Sequence, residues 1–185
     1  MGAGARRAAP VPLPSWAVVT PERRVHVRGV LMTLMEWSDA LAVGSEERDR
    51  WRRAALLHDA LKDAPLELQE SLADVRWGAK NLLHGPAAAV LAQRHGETDA
   101  GVLSAVRYHS VGFARWDRVG RMLYLADYLE PGRVGLSEEV PEIRGRVTAD
   151  PERALRDVAR LRIVHHLGRA HPLLPETVAF WNALI

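Results

Sequence analysis

The sequence predicts an all-α fold. Apolar residues recur at helical spacing through most of the chain, and no stretch sustains the alternation of apolar and polar residues that is typical of strands. Helix starts are marked by a capping side chain followed by proline and an acid, as in Thr20-Pro21-Glu22 and Asp150-Pro151-Glu152. With 185 residues, of which 48% are hydrophobic, the chain can bury the core of one domain. We therefore expect a single helical domain over residues 16–185, after a flexible, Pro- and Ala-rich tail over residues 1–15.

The predicted helices follow one another with short connections. The first begins at Pro21 and keeps its apolar spacing as far as Gly44, and the next is expected to be capped by Ser45. This second helix has an apolar face that ends at His58 and Asp59. A short amphipathic segment over residues 66–72 and a turn-like stretch to residue 80 come next. The remaining helices are expected over residues 87–94, 99–109, 117–130, 150–164 and 175–182.

The composition argues against several kinds of function. Lys plus Arg (25) nearly balance Asp plus Glu (23), so the high isoelectric point does not indicate a basic face for nucleic acid. Without cysteine the chain forms neither disulfides nor thiolate metal sites, and any bound metal must be held by nitrogen and oxygen. There is no signal-peptide core and no run of transmembrane length. We therefore expect a cytoplasmic protein that binds neither a nucleic acid polymer nor a membrane; a homodimer is left open.

Six ligand-type residues lie at helix ends or on apolar faces, where polar side chains are costly. Any one of them alone would more often have a hydrogen-bonded structural role. Together they offer the imidazole and carboxylate donors that iron, manganese, cobalt and zinc prefer, in about the number that two neighbouring ions need. The six are His26, His58, Asp59, His84, His109 and Asp127. The other histidines, interpreted as surface residues near helix ends or beside glycine or proline, are His95, His165, His166 and His171.

A centre of this kind indicates hydrolysis at phosphorus. A metal ion lowers the pKa of bound water from about 15.7 toward 7, and a pair of ions also neutralises the phosphate oxygens. Cations on the same helix sides could hold the phosphate, since Lys62 follows His58 by four residues and Arg23 precedes His26 by three. A solvated surface charge is the weaker interpretation for Lys62, because the chain has only one other lysine.

The arginines are harder to interpret by position. Nearly all the basic residues are arginine, whose planar fork suits bidentate contacts to phosphate, but so broad a skew is also what a genomic codon bias produces. For Arg107 and Arg133 a surface charge and a phosphate-binding role are equally open.

These residues, in this order, resemble the HD-domain phosphohydrolase superfamily, which is named after a His-Asp pair. The finer resemblance is to its bacterial YqeK-type branch, the symmetrical bis(5'-nucleosyl)-tetraphosphatases, and it covers nearly everything after Ser15. Its most specific part is the string from Ala126 to Arg133, whereas His58-Asp59 alone marks only the superfamily. The other similar motifs are Arg23-x-x-His26, His58-Asp59-x-x-Lys62, His84-Gly85-Pro86, Arg107 to Gly112, and the ending from Pro175 to Leu184.

The resemblance implies a single-domain HD-type helical bundle with a buried centre of one or two metal ions, iron first, with manganese, cobalt or zinc as alternatives. The six ligand-type residues would hold the metal. It also implies symmetrical hydrolysis of a dinucleoside polyphosphate, diadenosine tetraphosphate, to two ADP, with Asp59, Lys62 and Arg23 as catalytic residues. The expected substrate-binding residues are Arg23, Lys62, Gly85, Arg107, Ser110 and Arg133.

The sequence departs from the family pattern in one loop, and other functions stay open. Ser110 stands where threonine is usual, and Trp116-Asp117 stand near a usual methionine and serine, so we expect the loop over residues 111–117 to affect base preference more than chemistry. Another HD-type nucleotide phosphohydrolase, acting on guanosine tetraphosphate or on 5'-nucleotides, is the nearest alternative. A nucleotide-sensing module without turnover and an HD-type oxygenase with an iron pair are the others.

Overall fold

The computed structural model describes residues 11–133 and 137–185. These residues form nine α-helices and one short 3-10 turn over Lys80–Leu82, and no strand, so the all-α prediction is confirmed. The helices are α1 (Pro21–Ala40), α2 (Ser45–Leu57), α3 (Leu66–Leu72), α4 (His84–Arg94), α5 (Ala100–Tyr108), α6 (Arg118–Leu129), α7 (Val140–Arg146), α8 (Pro151–Gly168) and α9 (Pro175–Asn182).

Four predicted helix starts are confirmed by side-chain caps. In each, the side-chain oxygen of the residue before the helix accepts a hydrogen bond from a first-turn amide that has no partner within the helix. The pairs are Thr20 with the amide of Arg23 (3.2 Å), Asp99 with Val102 (3.0 Å), Asp117 with Val119 (3.1 Å) and Asp150 with Arg153 (3.0 Å).

The boundary between α1 and α2 differs from the prediction. Helix α1 ends at Ala40, short of Gly44, because Ala42 takes a left-handed backbone conformation (φ 48°) that cannot continue a right-handed helix. The predicted Ser45 cap is wrong. Gly44, with extended backbone, precedes the helix, and Ser45 is already its first residue.

Two further helices differ from the sequence-based expectation. Helix α4 begins at His84, three residues before the predicted start, so His84 and Gly85 lie in its first turn. Helix α7 was not predicted at all. It has only seven residues, of which Val140 and Ile143 are buried, and two apolar positions are too few to establish a period.

Helix α6 is the centre of the fold. Ten of its twelve residues are buried, and it packs against α1, α2, α5, α7 and α8. A helix that is enclosed on all sides must be apolar nearly all round, and α6 is, with Met122, Leu123, Leu125 and Ala126 in the core. Asp127 lies in this helix, so its carboxylate is buried and requires polar partners.

The N-terminal boundary of the domain stays a prediction. Of the expected flexible tail over residues 1–15, residues 1–10 lie outside the described part of the chain. Pro12, Leu13 and Pro14 line a shallow cavity of about 400 Å³ together with Trp16 and His95. Among the described residues, no helix combines the length and the apolar character that a membrane span requires.

Candidate metal centre

All six predicted ligand residues come together at the centre of the bundle. His26 is on α1, His58 and Asp59 directly follow α2, His84 opens α4, His109 directly follows α5, and Asp127 is on α6. Five of them are buried, and the side chain of His26 is 11% exposed. The sequence analysis could assign each residue only to a helix end or an apolar face. Tertiary packing of these five helical segments brings the six residues to one point.

The Asp59 carboxylate lies between two groups of donor atoms. Its Oδ1 is 3.2 Å from Nε2 of His84 and 3.4 Å from Nε2 of His109. Its Oδ2 is 3.7 Å from Nε2 of His26 and 3.6 Å from Nε2 of His58. We call His26, His58 and Asp59 the first donor group, and Asp59, His84 and His109 the second. A carboxylate in this position can offer one oxygen to each of two ions.

Asp127 supplements the first donor group. Its Oδ1 is 3.1 Å from Nε2 of His26 and 4.0 Å from Nε2 of His58. Two histidines and two carboxylates therefore face one point, which is a nitrogen and oxygen donor set that suits a divalent transition metal.

Backbone carbonyl groups orient three of the imidazoles. Since a carbonyl oxygen can only accept, the Nδ1 of His58 and of His109 carries the proton, and Nε2 is left with a lone pair directed at the centre. The same arrangement is common for histidines that bind metals. Nδ1 of His84 faces a carbonyl oxygen and also the ammonium group of Lys62, at 3.4 Å. The acceptors are the carbonyl oxygens of Ala55 for His58 (2.8 Å), Val106 for His109 (2.8 Å) and Asn81 for His84 (3.2 Å).

The inward-facing nitrogen atoms fit a bound cation. Nε2 of His84 and Nε2 of His109 are only 3.1 Å apart, and with both protons on Nδ1 the two lone pairs face each other. Nε2 of His58 is buried and has no hydrogen-bond partner among the described residues. The Ser110 hydroxyl, 3.1 Å from Nε2 of His109, has one proton to donate, and Nε2 of His58 has no donor in the described part of the chain. Buried acceptors without a donor are costly, and a bound metal ion would satisfy those that remain.

The protonation states of the cluster also suit a metal. Burial lowers the pKa of His58 and of His84 to about 4 each, so both rings are neutral near pH 7. Burial alone would raise the pKa of Asp127, but Arg133 and His26 hold it well below its usual range, so the carboxylate is ionised. Burial also acts to lower the pKa of His26, yet the hydrogen bond and charge of Asp127 outweigh it and raise that pKa, so this ring must release a proton to bind metal.

Three of the predicted cations border the cluster. Nη1 of Arg23 donates to Oδ2 of Asp59 (2.8 Å), and Nη2 of Arg133 donates to Oδ1 of Asp127 (3.0 Å). Burial has the largest effect on the pKa of Lys62 and lowers it. The charges of Asp59, Arg23, Asp127 and Arg133 also act on this pKa, so Lys62 lies close to all four side chains. A phosphate group that reached the centre would therefore meet two guanidinium groups and one ammonium group.

Of the other predicted substrate-binding residues, Ser110 reaches the cluster with its Oγ 3.1 Å from Nε2 of His109, and Gly85 adjoins it, since a Cβ there would lie 3.2 Å from Cε1 of His109. Arg107 forms an ion pair with Asp74 outside it. Gly85 is buried where α4 crosses α5, and a Cβ there would lie 2.9 Å from the carbonyl oxygens of Val106 and Arg107. Gly85 thus permits close packing of the two helices, and the binding roles of Gly85 and Arg107 stay predictions.

Two buried charged residues at the site were not predicted. Oε1 of Glu130 lies 3.1 Å from Nδ1 of His26, and the other oxygen accepts from the Gly132 amide (2.6 Å). Its position in the motif string from Ala126 to Arg133 could have identified Glu130 as a site residue. Arg162 donates to Asp127 from α8. Nothing in the sequence distinguished this arginine as a site residue, because arginines recur throughout that helix.

A cavity of about 600 Å³ adjoins the second donor group through Ser110. Arg162 and His166 form part of its wall, and the rest is mostly apolar. The apolar lining residues are Leu82, Val111, Tyr124, Pro172, Leu173 and Leu174. The four histidines interpreted as surface residues take no part in either donor group. His95, His165 and His171 are exposed, and His166 is half-buried.

Comparison with known proteins gives relatives of one kind. A protein of Bacillus subtilis (strain 168) named symmetrical bis(5'-nucleosyl)-tetraphosphatase is 29% identical over 175 residues, which is 90% of this chain and 91% of the relative. A protein of the same name from Halalkalibacterium halodurans is 27% identical with the same coverage. A crystal structure from Clostridium acetobutylicum, described as a predicted HD superfamily hydrolase involved in NAD metabolism, superposes with a TM-score of 0.79 at 27% identity, covering 90% of both chains.

The family model of the HD domain matches residues 23–132, which is more than half of the chain and includes all six ligand-type residues. The resemblance inferred from the motifs is confirmed by this match and by the solved structure of similar fold. The chain therefore belongs to the HD domain family.

Proposed function

We propose that this chain is a metal-dependent phosphohydrolase that cleaves diadenosine tetraphosphate and similar dinucleoside polyphosphates symmetrically. The observation that carries the proposal is the single Asp59 carboxylate between two donor groups, with Arg23, Lys62 and Arg133 beside it. The names of the two curated relatives support the substrate. Symmetrical cleavage adds one water molecule across the central phosphoanhydride bond and releases two ADP.

The six ligand-type residues would hold one or two metal ions, with iron as the first candidate and manganese, cobalt or zinc as alternatives. When bound, such ions activate water near neutral pH and neutralise charge on phosphate oxygens. The chain's own cations then act on the substrate. The guanidinium groups of Arg23 and Arg133 are partly exposed, at 25% and 33%, and can each hold two phosphate oxygens. Lys62 contributes a third, largely buried charge that stabilises the negative charge developing at phosphorus.

The 600 Å³ cavity next to Ser110 would hold one nucleoside of the substrate. Its mostly apolar wall suits a purine base, and Ser110 lies between it and His109 of the second donor group, so a base inside it would leave the polyphosphate near the metal centre. This substrate class also favours a cytoplasmic location, because nucleoside polyphosphates form from cytoplasmic nucleotides.

The reaction is tested by metal analysis of the purified protein followed by chromatography of the products from diadenosine tetraphosphate. Two ADP as the only nucleotide product supports the proposal, and an Asp59→Ala preparation controls for contaminating enzymes. Formation of AMP and ATP would contradict symmetrical cleavage. Absence of turnover on a panel that includes guanosine tetraphosphate and 5'-nucleotides would contradict the hydrolase class.

The nucleoside position is tested by filling the cavity. Leu173→Trp should raise KM for diadenosine tetraphosphate much more than it lowers kcat, because the indole would occupy space needed by the base and leave the metal centre intact. Val178→Trp on α9 is the control, since Val178 is 43% exposed and is not part of the cavity wall. An unchanged KM in a folded Leu173→Trp protein would place the base elsewhere.

A further inference from the structure

Arg162 is a largely buried arginine that lies outside the part of the chain matched by the family model, residues 23–132. It belongs to α8, and its side chain is only 13% exposed. Arginine is rarely buried unless its charge is paired, since removing an isolated charge from water costs several kcal/mol. The contacts of Arg162 therefore indicate why the chain keeps a cation here.

The strongest contact of Arg162 is an ion pair with one particular oxygen of Asp127. Nη2 of Arg162 lies 2.8 Å from Oδ2 of Asp127, while Oδ1 of the same carboxylate faces Nε2 of His26 at 3.1 Å. The carboxylate thus has one oxygen held by Arg162 and the other directed to the first donor group. Tilting the carboxylate out of its plane would break the ion pair, so Arg162 fixes the orientation in which the other oxygen faces the first donor group.

The guanidinium group of Arg162 is itself held in place. Its carbon lies 4.2 Å from the centre of the Tyr124 ring and 5.1 Å from that of Tyr128. A guanidinium group over aromatic rings is attracted by their negative faces. Longer contacts of 3.4 Å reach the carbonyl oxygens of His109 and Tyr124. A group with this many partners has little freedom to leave Asp127.

Arg133 contacts the same carboxylate in a different way. It donates to Oδ1, the oxygen that faces the donor group, and its side chain is 33% exposed. Arg133 is thus free to bind a substrate phosphate, whereas Arg162 is 13% exposed and its Nη2 is paired with Asp127. Arg133 therefore donates to Oδ1 of Asp127, and Arg162 donates to Oδ2.

We propose that Arg162 is a positioning residue for the metal centre, which orients Asp127 for the ion held by the first donor group. The side chains of the second donor group, Asp59, His84 and His109, make no ion pair with Arg162, whose contact there is a 3.4 Å one to the backbone carbonyl of His109, so the ion of that group should depend on it much less. A purely structural role in joining α8 to α6 would lower stability without changing the affinity of a folded protein for metal. The two roles are therefore separable by metal binding, and the proposal does not depend on the identity of the substrate.

The test is a Co²⁺ titration of metal-free protein, followed by visible absorption, with no substrate present. Arg162→Met keeps the apolar volume beside Tyr124 and removes the charge. It should bind one of two ions about 10- to 100-fold more weakly, as expected when a partner that orients a metal ligand is lost. Arg160→Met is the matched control, because Arg160 is on the same helix, pairs with Glu139 at the surface and should leave both affinities unchanged.

Melting curves of the metal-free variants establish which of them fold. If Arg162→Met does not fold, Arg162→Lys decides the question. It keeps the charge but lacks the planar fork, and should show a smaller loss of affinity at the same ion. Wild-type affinity for both ions in a folded variant at residue 162 overturns the proposal, as does an equal loss in Arg160→Met.

Discussion

Asp59 is the one residue that belongs to both donor groups, and its two oxygens face different histidine pairs. Asp59→Ala should therefore lose both ions, with a loss of turnover of at least about 10²-fold, since it removes the main electrostatic contribution at the reacting phosphate. His84→Ala should lose only the ion of the second donor group. Metal analysis of the purified variants measures the difference.

The control for these variants is His95→Ala, which removes an exposed histidine that belongs to neither donor group and should keep the wild-type metal content. An Asp59→Ala protein that still held one tightly bound ion would show that the carboxylate is not shared.

Gly29 on α1 makes room for Glu130. A Cβ at residue 29 would lie 2.3 Å from Oε2 of Glu130 and 3.0 Å from its Cδ, so Gly29→Ala must displace the carboxylate that holds His26. We expect Gly29→Ala to bind metal more weakly. Urea titration should show a free energy of unfolding that is lower by about 1–3 kcal/mol, because the space beside residue 29 is already filled by Glu130.

Gly145→Ala is the matched comparison, because no heavy atom lies within 4 Å of its added Cβ and Gly145 is exposed on α7. It should raise the free energy of unfolding by about 0.5–1 kcal/mol through the lower entropy of the unfolded chain. Equal effects of the two substitutions would mean that Glu130 moves aside without cost.

For individual residues, the sequence analysis identified polar side chains in apolar surroundings but missed the charged residues that pair with them. His58 and Asp127 were recognisable because polar side chains stood in apolar helices. The charged partners lie far away in the sequence: Glu130 pairs with His26 across 104 residues, and Arg162 pairs with Asp127 across 35. Such pairings are set by tertiary packing, which no local spacing encodes.

At the scale of elements, Asp99 links two helices. It caps α5 and also binds Arg50 of α2 through both oxygens, with Nε to Oδ2 at 2.7 Å and Nη2 to Oδ1 at 3.0 Å. The Arg50 hydrogen bonds lower the pKa of Asp99 to about 2. Since the folded pKa is below that of the unfolded chain, about 3.9, this carboxylate stabilises the fold above pH 4, and the contribution is lost as the pH falls toward 2.

Asp99→Asn should keep the cap and lose the ion pair, because asparagine and aspartate cap helices about equally well. We expect the free energy of unfolding to fall by about 1 kcal/mol near pH 7, with a smaller difference from the wild type at pH 2–3. Asp39→Asn is the control, since Asp39 pairs with Arg48 where its side chain is 66% exposed and solvent weakens the interaction. A difference between Asp99→Asn and the wild type that did not depend on pH would contradict the ion-pair account. Denaturant titrations across this pH range measure both variants.

Helices that begin with a capping side chain, such as the one after Asp99, were predicted better than helices that depend on tertiary packing. The seven residues of α7 were missed because only Val140 and Ile143 face the core. The Ser45 cap was predicted wrongly because hydroxyl and glycine caps both suit that turn, and the backbone alone decides between them.

For the whole molecule, metal binding should be coupled to folding, because the six ligand-type residues come from five helical segments. An ion at a free concentration 100 times its Kd stabilises the fold by about 2.7 kcal/mol, which for a chain of this size raises Tm by about 5–10 °C. Calorimetry with a chelator, and again after the metal is restored, measures the shift. Asp59→Ala should show none, and an equal shift in that variant would indicate binding elsewhere.

The overall fold was the most predictable level, since all-helical periodicity and the HD-type motifs lead to the same architecture, and both are confirmed. What could not be predicted is how α6 becomes the enclosed helix. Its apolar residues showed that it is buried, but not that five other helices surround it.

The distance along the chain between the ligands has a consequence for biosynthesis. His26 and Asp127 meet across 101 residues, and Arg162 follows Asp127 by a further 35. On a ribosome, the N-terminal histidines are made long before the carboxylate that completes their site. The first donor group therefore cannot receive its full set of ligands until Asp127 has been made, and any metal that needs this carboxylate binds after that point.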